Sequence, residues 1–362
     1  PAGLESPAAL NAVVEVTSPV AASSGRVFVR FTLGAPPPAI ELDPAIIEWD
    51  IVEDGAFPPT GEVAIVNAGT GTLGGLSVEA DYFSGPSGGW LEVSLNSDEA
   101  PAVLTVSLRT TALLPGSYDG RIRVRSNEAI NSPQSVVVPL QVAPRASGDS
   151  STIAGSPSPV VADGVEASTI TVQLRDPRGV DMPSGGDDVE VFTTLGTLSP
   201  VSDEGGGRYT ATLTSTVSGT ATITGTVNAE PIADAATVEF EAGAPANVAI
   251  EGGNAQTGTV GSALGEELEV LVTDAEGNPV SGVTVNWAPA TGGGSASPTS
   301  SQTDASGIAS TTWTLGSSPG VQTLDASAGG LGPVTFEATA EVGAPANVAI
   351  EGGNAQTGTV GS

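Results

Sequence analysis

The stretch "GAPANVAIEGGNAQTGTVGS" occupies residues 243–262 and returns without a change at residues 343–362. An identity of that length, 100 residues apart, is an internal repeat. Repeats of such a period confine a chain to similar modules joined in series. Between the copies, short runs alternate apolar and polar residues. Glu267 to Val272 reads as a strand, "DAEGNPVSG" as the turn after it, and Val283, Val285 and Trp287 as one face of the next strand. Ala309, Thr311, Trp313 and Leu315 alternate in the same way. Side chains two apart lie on the same side of a strand, so each run has one face for a core and one for water.

Nothing in the chain offers a long helical period. It holds 48 Gly and 28 Pro, which disfavour helices, among many Val and Thr, which suit strands. Disorder is the rival reading for a Gly- and Pro-rich acidic chain. A hydrophobic content of 39%, placed in strand-like alternation, instead fills several small cores. The expected fold is all-β. About seven short strands per module, with turns every 8 to 12 residues, is the pattern of an Ig-like sandwich. The whole reads as tandem Ig-like β-sandwich modules in an extended array.

The stretch 147–242 is laid out like 243–342 with different residues: "STITVQLRDPRG" parallels "EELEVLVTDAEGNP", and "DEGGGRYTATLTS" parallels "TDASGIASTTWTLG". On "VADGVEASTITVQLRDPRG", "GRYTATLTS" and "GTATITGTV" in the first, and "VTDAEGNPVSGVTV" with "TDASGIASTTWTLG" in the second, the two resemble bacterial Ig-like modules of the invasin and intimin type. That resemblance implies a β-sandwich from the extracellular part of a bacterial surface protein, and no particular ligand. Residues 35–146 form another kind of unit. There Ile47, Trp49 and Ile51 share a face, as do Val63 and Ile65, and "GWLEVSLNSDEAPAVLTVSL" resembles the BACON-type Ig-like modules of secreted bacterial proteins. Residues 1–34 read as the last strands of a preceding module, and 343–362 as the first strand or strands of a further identical repeat. An alternative for that second copy is strand donation, with Val348 and Ile350 completing a neighbouring chain's sandwich.

Charge and residue types narrow the function. The net charge is −31, from 41 acids and 10 bases, and all the bases are Arg. Such a surface excludes nucleic acid and anionic lipid as expected partners. No apolar run approaches the ~20 residues that span a bilayer. With no His and no Cys, the usual nucleophile–base arrangements and His/Cys zinc sites are absent from the sequence. The acids fall mostly in turns, so no paired-carboxylate cleft is expected and the chain reads as no enzyme.

Calcium is the remaining candidate ion; no other cofactor is expected. "DAEGN" spaces Asp274, Glu276 and Asn278 like the start of a calcium loop, but Pro279 stands where a Gly is needed and Val285 where the loop ends on Glu. It therefore reads as an Asx turn. "RDPRGVDMPSGGDD" places Asp176, Asp181, Asp187 and Asp188 in one region and is the candidate calcium site. Trp49, Trp287 and Trp313 fall on apolar faces. Trp90 breaks the parity of Leu91, Val93 and Leu95, so Tyr82, Phe83 and Trp90 form a candidate aromatic cluster for a ligand or an interface. The alternative is an aromatic that plugs the end of the sandwich.

The expected role is structural: an extracellular filament, stalk or adhesin shaft on a bacterial cell surface, whose partners are copies of itself. The alternatives are an Ig-like array that binds a carbohydrate or host receptor, and accessory modules of a large secreted enzyme.

Overall fold

The computed structural model describes residues 9–16, 25–32, 35–86, 89–345, 347–352 and 355–358, the first two stretches as backbone only. Among them every regular element is a β-strand. Two compact units emerge, divided between Arg145 and Ala146.

The first unit contains an antiparallel pair, Ala9–Val16 with Gly25–Thr32, and one sandwich of two four-stranded sheets. One sheet runs Ile40–Asp43, Gly61–Asn67, Ala102–Leu108, Leu91–Leu95 in spatial order; the other runs Trp49–Val52, Gln134–Ala143, Gly116–Arg125, Ser77–Tyr82. The period-two pattern explains the arrangement. Along Ala102–Leu108 every second residue is buried, and Val63, Ile65, Leu104, Val106, Ile122, Val124, Val136 and Val138 fill the space between the sheets. Burying each such side chain contributes about 1.5–3 kcal/mol.

The second unit holds two sandwiches. In the first, Ser147–Ser156, Ser168–Arg175, Arg208–Thr214 and Thr197–Leu198 face Val160–Val161, Ala236–Glu241, Gly219–Val227 and Val189–Thr193. In the second, Asn247–Gly252, Leu268–Thr273, Ile308–Leu315 and Gly294–Ser297 face Gln256–Thr259, Val334–Glu341, Gly320–Ala328, Thr284–Thr291 and Ser300–Gln302. Trp287 and Trp313 are buried in this last core and Trp49 in the first unit's, as the strand parity predicts.

All three sandwiches share one device. The chain enters along one sheet, antiparallel to its neighbour, then crosses and runs parallel to the last strand of the opposite sheet. The entering segment thereby ties both sheets together.

The two copies of the repeat differ. In the first copy Asn247–Gly252 is a strand, paired with Leu268–Thr273, and Val248 and Ile250 pack against the core. In the second copy the described residues form no strand, and Val348 and Ile350 are 98% and 71% exposed.

Candidate functional site

Three hairpins of D-x-x-G-x sequence in the second unit share one cap: Asp176–Val180, Asp274–Asn278 and Asp304–Ile308. In each, Oδ1 of the Asp accepts the backbone N–H of the residues two and four positions on: Arg178 and Val180, Glu276 and Asn278, Ser306 and Ile308. In each the fourth residue is a Gly at positive φ, of 80°, 92° and 73°. The carboxylate caps the turn, and only Gly takes that backbone without strain. This is the Asx turn read from "DAEGN"; its oxygens already serve N–H donors.

The four acids of the candidate calcium site are engaged by other groups: Asp176 and Asp181 each by an Arg, and Asp187 and Asp188 together by Asn228. Asp176 is buried and holds the Arg178 guanidinium, with Nη2 at 2.7 Å. Burial acts to raise its carboxyl pKa, but N–H donation from Val180 and Arg178 outweighs it and holds the carboxyl below the usual range. Asp181 pairs with Arg175 at 2.8 Å. Asp187 accepts from Asn228 Nδ2, and the Asp188 backbone N–H donates to Asn228 Oδ1. Among the described residues no three acidic side chains converge as a cation would need.

Trp90 is a correction. It is 0% exposed, not part of an exposed cluster. The strand begins at Leu91, so Trp90 lies just before it and is free of its parity. Its ring packs against Tyr82 and Tyr118, with centroids 5.9 and 6.2 Å away, and Nε1 donates to the Ser84 carbonyl. It is the aromatic that plugs the sandwich. Tyr82 is half-buried, and its hydroxyl donates to the Leu91 carbonyl.

Phe83 alone of the three is exposed, at 62%. The Arg121 guanidinium lies over its ring, 4.9 Å from the centroid. Phe83, Asp119, Gly120, Arg121 and Val137 line a shallow groove of about 310 Å³. Arg121, Arg123 and Arg125 alternate along Gly116–Arg125, so they share the outer face. Asp81 neutralises Arg123, and its own carboxyl pKa is lowered by that hydrogen bond. The alternating Arg of "RIRVR" was a legible sign of this face; its meeting with Phe83 was not.

A further constellation lies between the two sandwiches of the second unit. Asn278 Oδ1 accepts the Ser218 N–H at 2.8 Å, and Nδ2 donates to the Thr216 carbonyl at 3.0 Å and to Asp274 Oδ2 at 2.9 Å. Asp274 Oδ2 also accepts the N–H of Gly243, where the repeat begins, at 2.9 Å. Both side chains are buried. Sequence reading missed this role of Asn278, since its partners lie about sixty residues upstream.

The fold and these joints define a class: Ig-like β-sandwiches in tandem. The family follows for two of the modules. Residues 147–243 match the model of invasin domain 3, and residues 263–350 match that of the bacterial Ig-like domain, group 1. The chain is thus a tandem array that carries bacterial Ig-like modules. Among solved structures, the adhesin InvE of Yersinia pseudotuberculosis is similar at 25% identity over 54% of this chain, with a TM-score of 0.33. Invasin, a bacterial integrin-binding protein, is similar at 20% identity over 84% of this chain, with a TM-score of 0.41. The similarity spans 60% of each of those two proteins. FdeC, an Escherichia coli adhesin, is similar at 20% identity over 85% of this chain and 100% of its own, with a TM-score of 0.37. Among the described residues no helix is long and apolar enough to cross a membrane.

Proposed function

We propose that this chain is a shaft segment of a bacterial surface protein, which holds a distal part of an adhesin or filament away from the cell. The observation that carries the reading is the threefold use of one sandwich plan in series, with two modules matching bacterial Ig-like families. The acidic surface keeps neighbouring shafts apart and soluble. No catalytic activity belongs to this reading. Antibodies raised against residues 147–342 should label intact cells of the source organism. Labelling only after the cells are opened overturns the surface role. Deleting residues 147–242 should bring the distal end closer to the cell in immunogold images; an unchanged distance overturns the shaft role.

A second reading rests on the Phe83–Arg121 groove. An exposed aromatic beside a cation offers a stacking face and a charged donor, which suits a carbohydrate or receptor contact. Binding of glycans or host cells that Phe83→Ala abolishes would support it. Binding that survives this substitution removes the groove from consideration.

A further inference from the structure

The hairpin Asp274–Asn278 belongs by sequence to the last sandwich, yet two of the three bonds of the Asn278 amide reach the preceding one. Oδ1 takes the Ser218 N–H, and the two Nδ2 protons go to Thr216 O and Asp274 Oδ2. The network also fixes which way the amide points. Ser218 N–H needs an acceptor, and Thr216 O and the Asp274 carboxylate need donors; only one orientation satisfies all three. Asn278 is 5% and Asp274 1% exposed. Breaking such a buried network strands polar groups away from water. The joint is closed on its other side by Gly243 N–H on Asp274 Oδ2 and by Asn247 Nδ2 on the Asp274 carbonyl.

The other two hairpins of this type carry apolar residues at the fifth position, Val180 and Ile308. Neither can make the side-chain bonds of Asn278. The Asp-capped hairpin is therefore a shared turn, and Asn278 is an addition to it.

We propose that Asn278 is a module-recognition residue, which locks its sandwich onto a preceding module only where that module presents a free carbonyl and N–H at the positions of Thr216 and Ser218. The recognised surface is the four-residue connection 215–218, which ends at Gly219, the partner of Phe240. The last sandwich has an equivalent connection, 316–319, which ends at Gly320, the partner of Ala340. Phe240 and Ala340 each stand three residues before the first Gly of a repeat copy, at Gly243 and Gly343. Ser218 therefore corresponds to Pro319, which has no N–H to give. A joint that begins at Gly343 cannot carry the same lock, although the twenty residues that enter it are identical. What distinguishes the two joints is thus encoded outside the repeat, in one connection and one hairpin. The inference stands whether or not the chain is a surface shaft.

The full chain has no cysteine, so two spin labels can be placed cleanly, at Thr224→Cys and Glu337→Cys, both exposed and one on each sandwich. The expected result is one narrow distance distribution. It should widen at least twofold with Asn278→Ala, and also with Ser218→Pro, which alters only the preceding module. In amide exchange, the Ser218 N–H should be protected in the unsubstituted chain and exchange about tenfold faster or more in Asn278→Ala, the scale of a lost hydrogen bond or two. A Ser218 amide that is unprotected in the unsubstituted chain overturns the proposal. So does a distance distribution that both variants leave unchanged.

Discussion

Replacing Trp90 by Ala is the most direct test of how the first unit is built. The indole is fully enclosed and makes one tilted and one edge-to-face ring contact and one hydrogen bond. Truncating a buried aromatic to Ala costs about 3–5 kcal/mol, from lost transfer energy and the cavity left behind. Its ring edge packs over the bare backbone of Gly120, which has no side chain to refill the space. A cost of about 4 kcal/mol would consume much of a domain stability of about 5–15 kcal/mol. For a module of this size it lowers the melting midpoint by about 15–30 °C. Scanning calorimetry of the full chain should show that one transition shifting while those of residues 146 onward hold. Trp90→Phe keeps the ring contacts and should recover most of the loss. If Trp90→Ala moves no transition by more than about 5 °C, the indole does not hold the core, and its enclosure has been misjudged. Loss of ligand binding in this variant would report unfolding, which is why Phe83 is the residue to test for contact.

Three further outcomes follow from the same geometry. Val248→Asp should cost about 2–3 kcal/mol, read by denaturant titration. Gly277→Ala meets no neighbouring atom and should cost about 1–2 kcal/mol through its positive φ alone, as thermal melts would show. Burial works to raise the Asp274 carboxyl pKa, but hydrogen bonds from Asn278, Gly243 and Glu276 outweigh it, so the folded value lies below the unfolded one. Its contribution is then complete above the unfolded pKa of about 3.9 and lost as pH falls through the folded value. The midpoint of the second unit should drop below about pH 4, and less steeply in Asp274→Asn.

Period-two alternation made most of the fold legible. Val63 with Ile65 and Ala309 with Trp313 could be set on their inner faces from spacing alone, because a strand admits no other arrangement. Trp90 escaped that rule, since parity holds only inside a strand and it lies one residue before one. Its environment depends on Tyr82, Tyr118 and Ser84, which other parts of the chain supply. The role of Asn278 was hidden for a related reason: Thr216 and Ser218 belong to another module. Asp176 and Asp187 are near in sequence, but Arg178 engages one and Asn228 the other, and adjacency carries no information about that division.

The parallel seam between the entering segment and the last strand of each sandwich has a mechanical meaning. When a module is stretched by its two ends, parallel strands slide along each other, and their hydrogen bonds carry the load side by side instead of opening one at a time. The seams are unequal. Trp49–Val52 and Gln256–Thr259 each match four residues of their partners, whereas Val160–Val161 matches two. Under tension the sandwich of residues 147–242 should therefore yield first, lengthening like a fuse while the modules on either side stay folded.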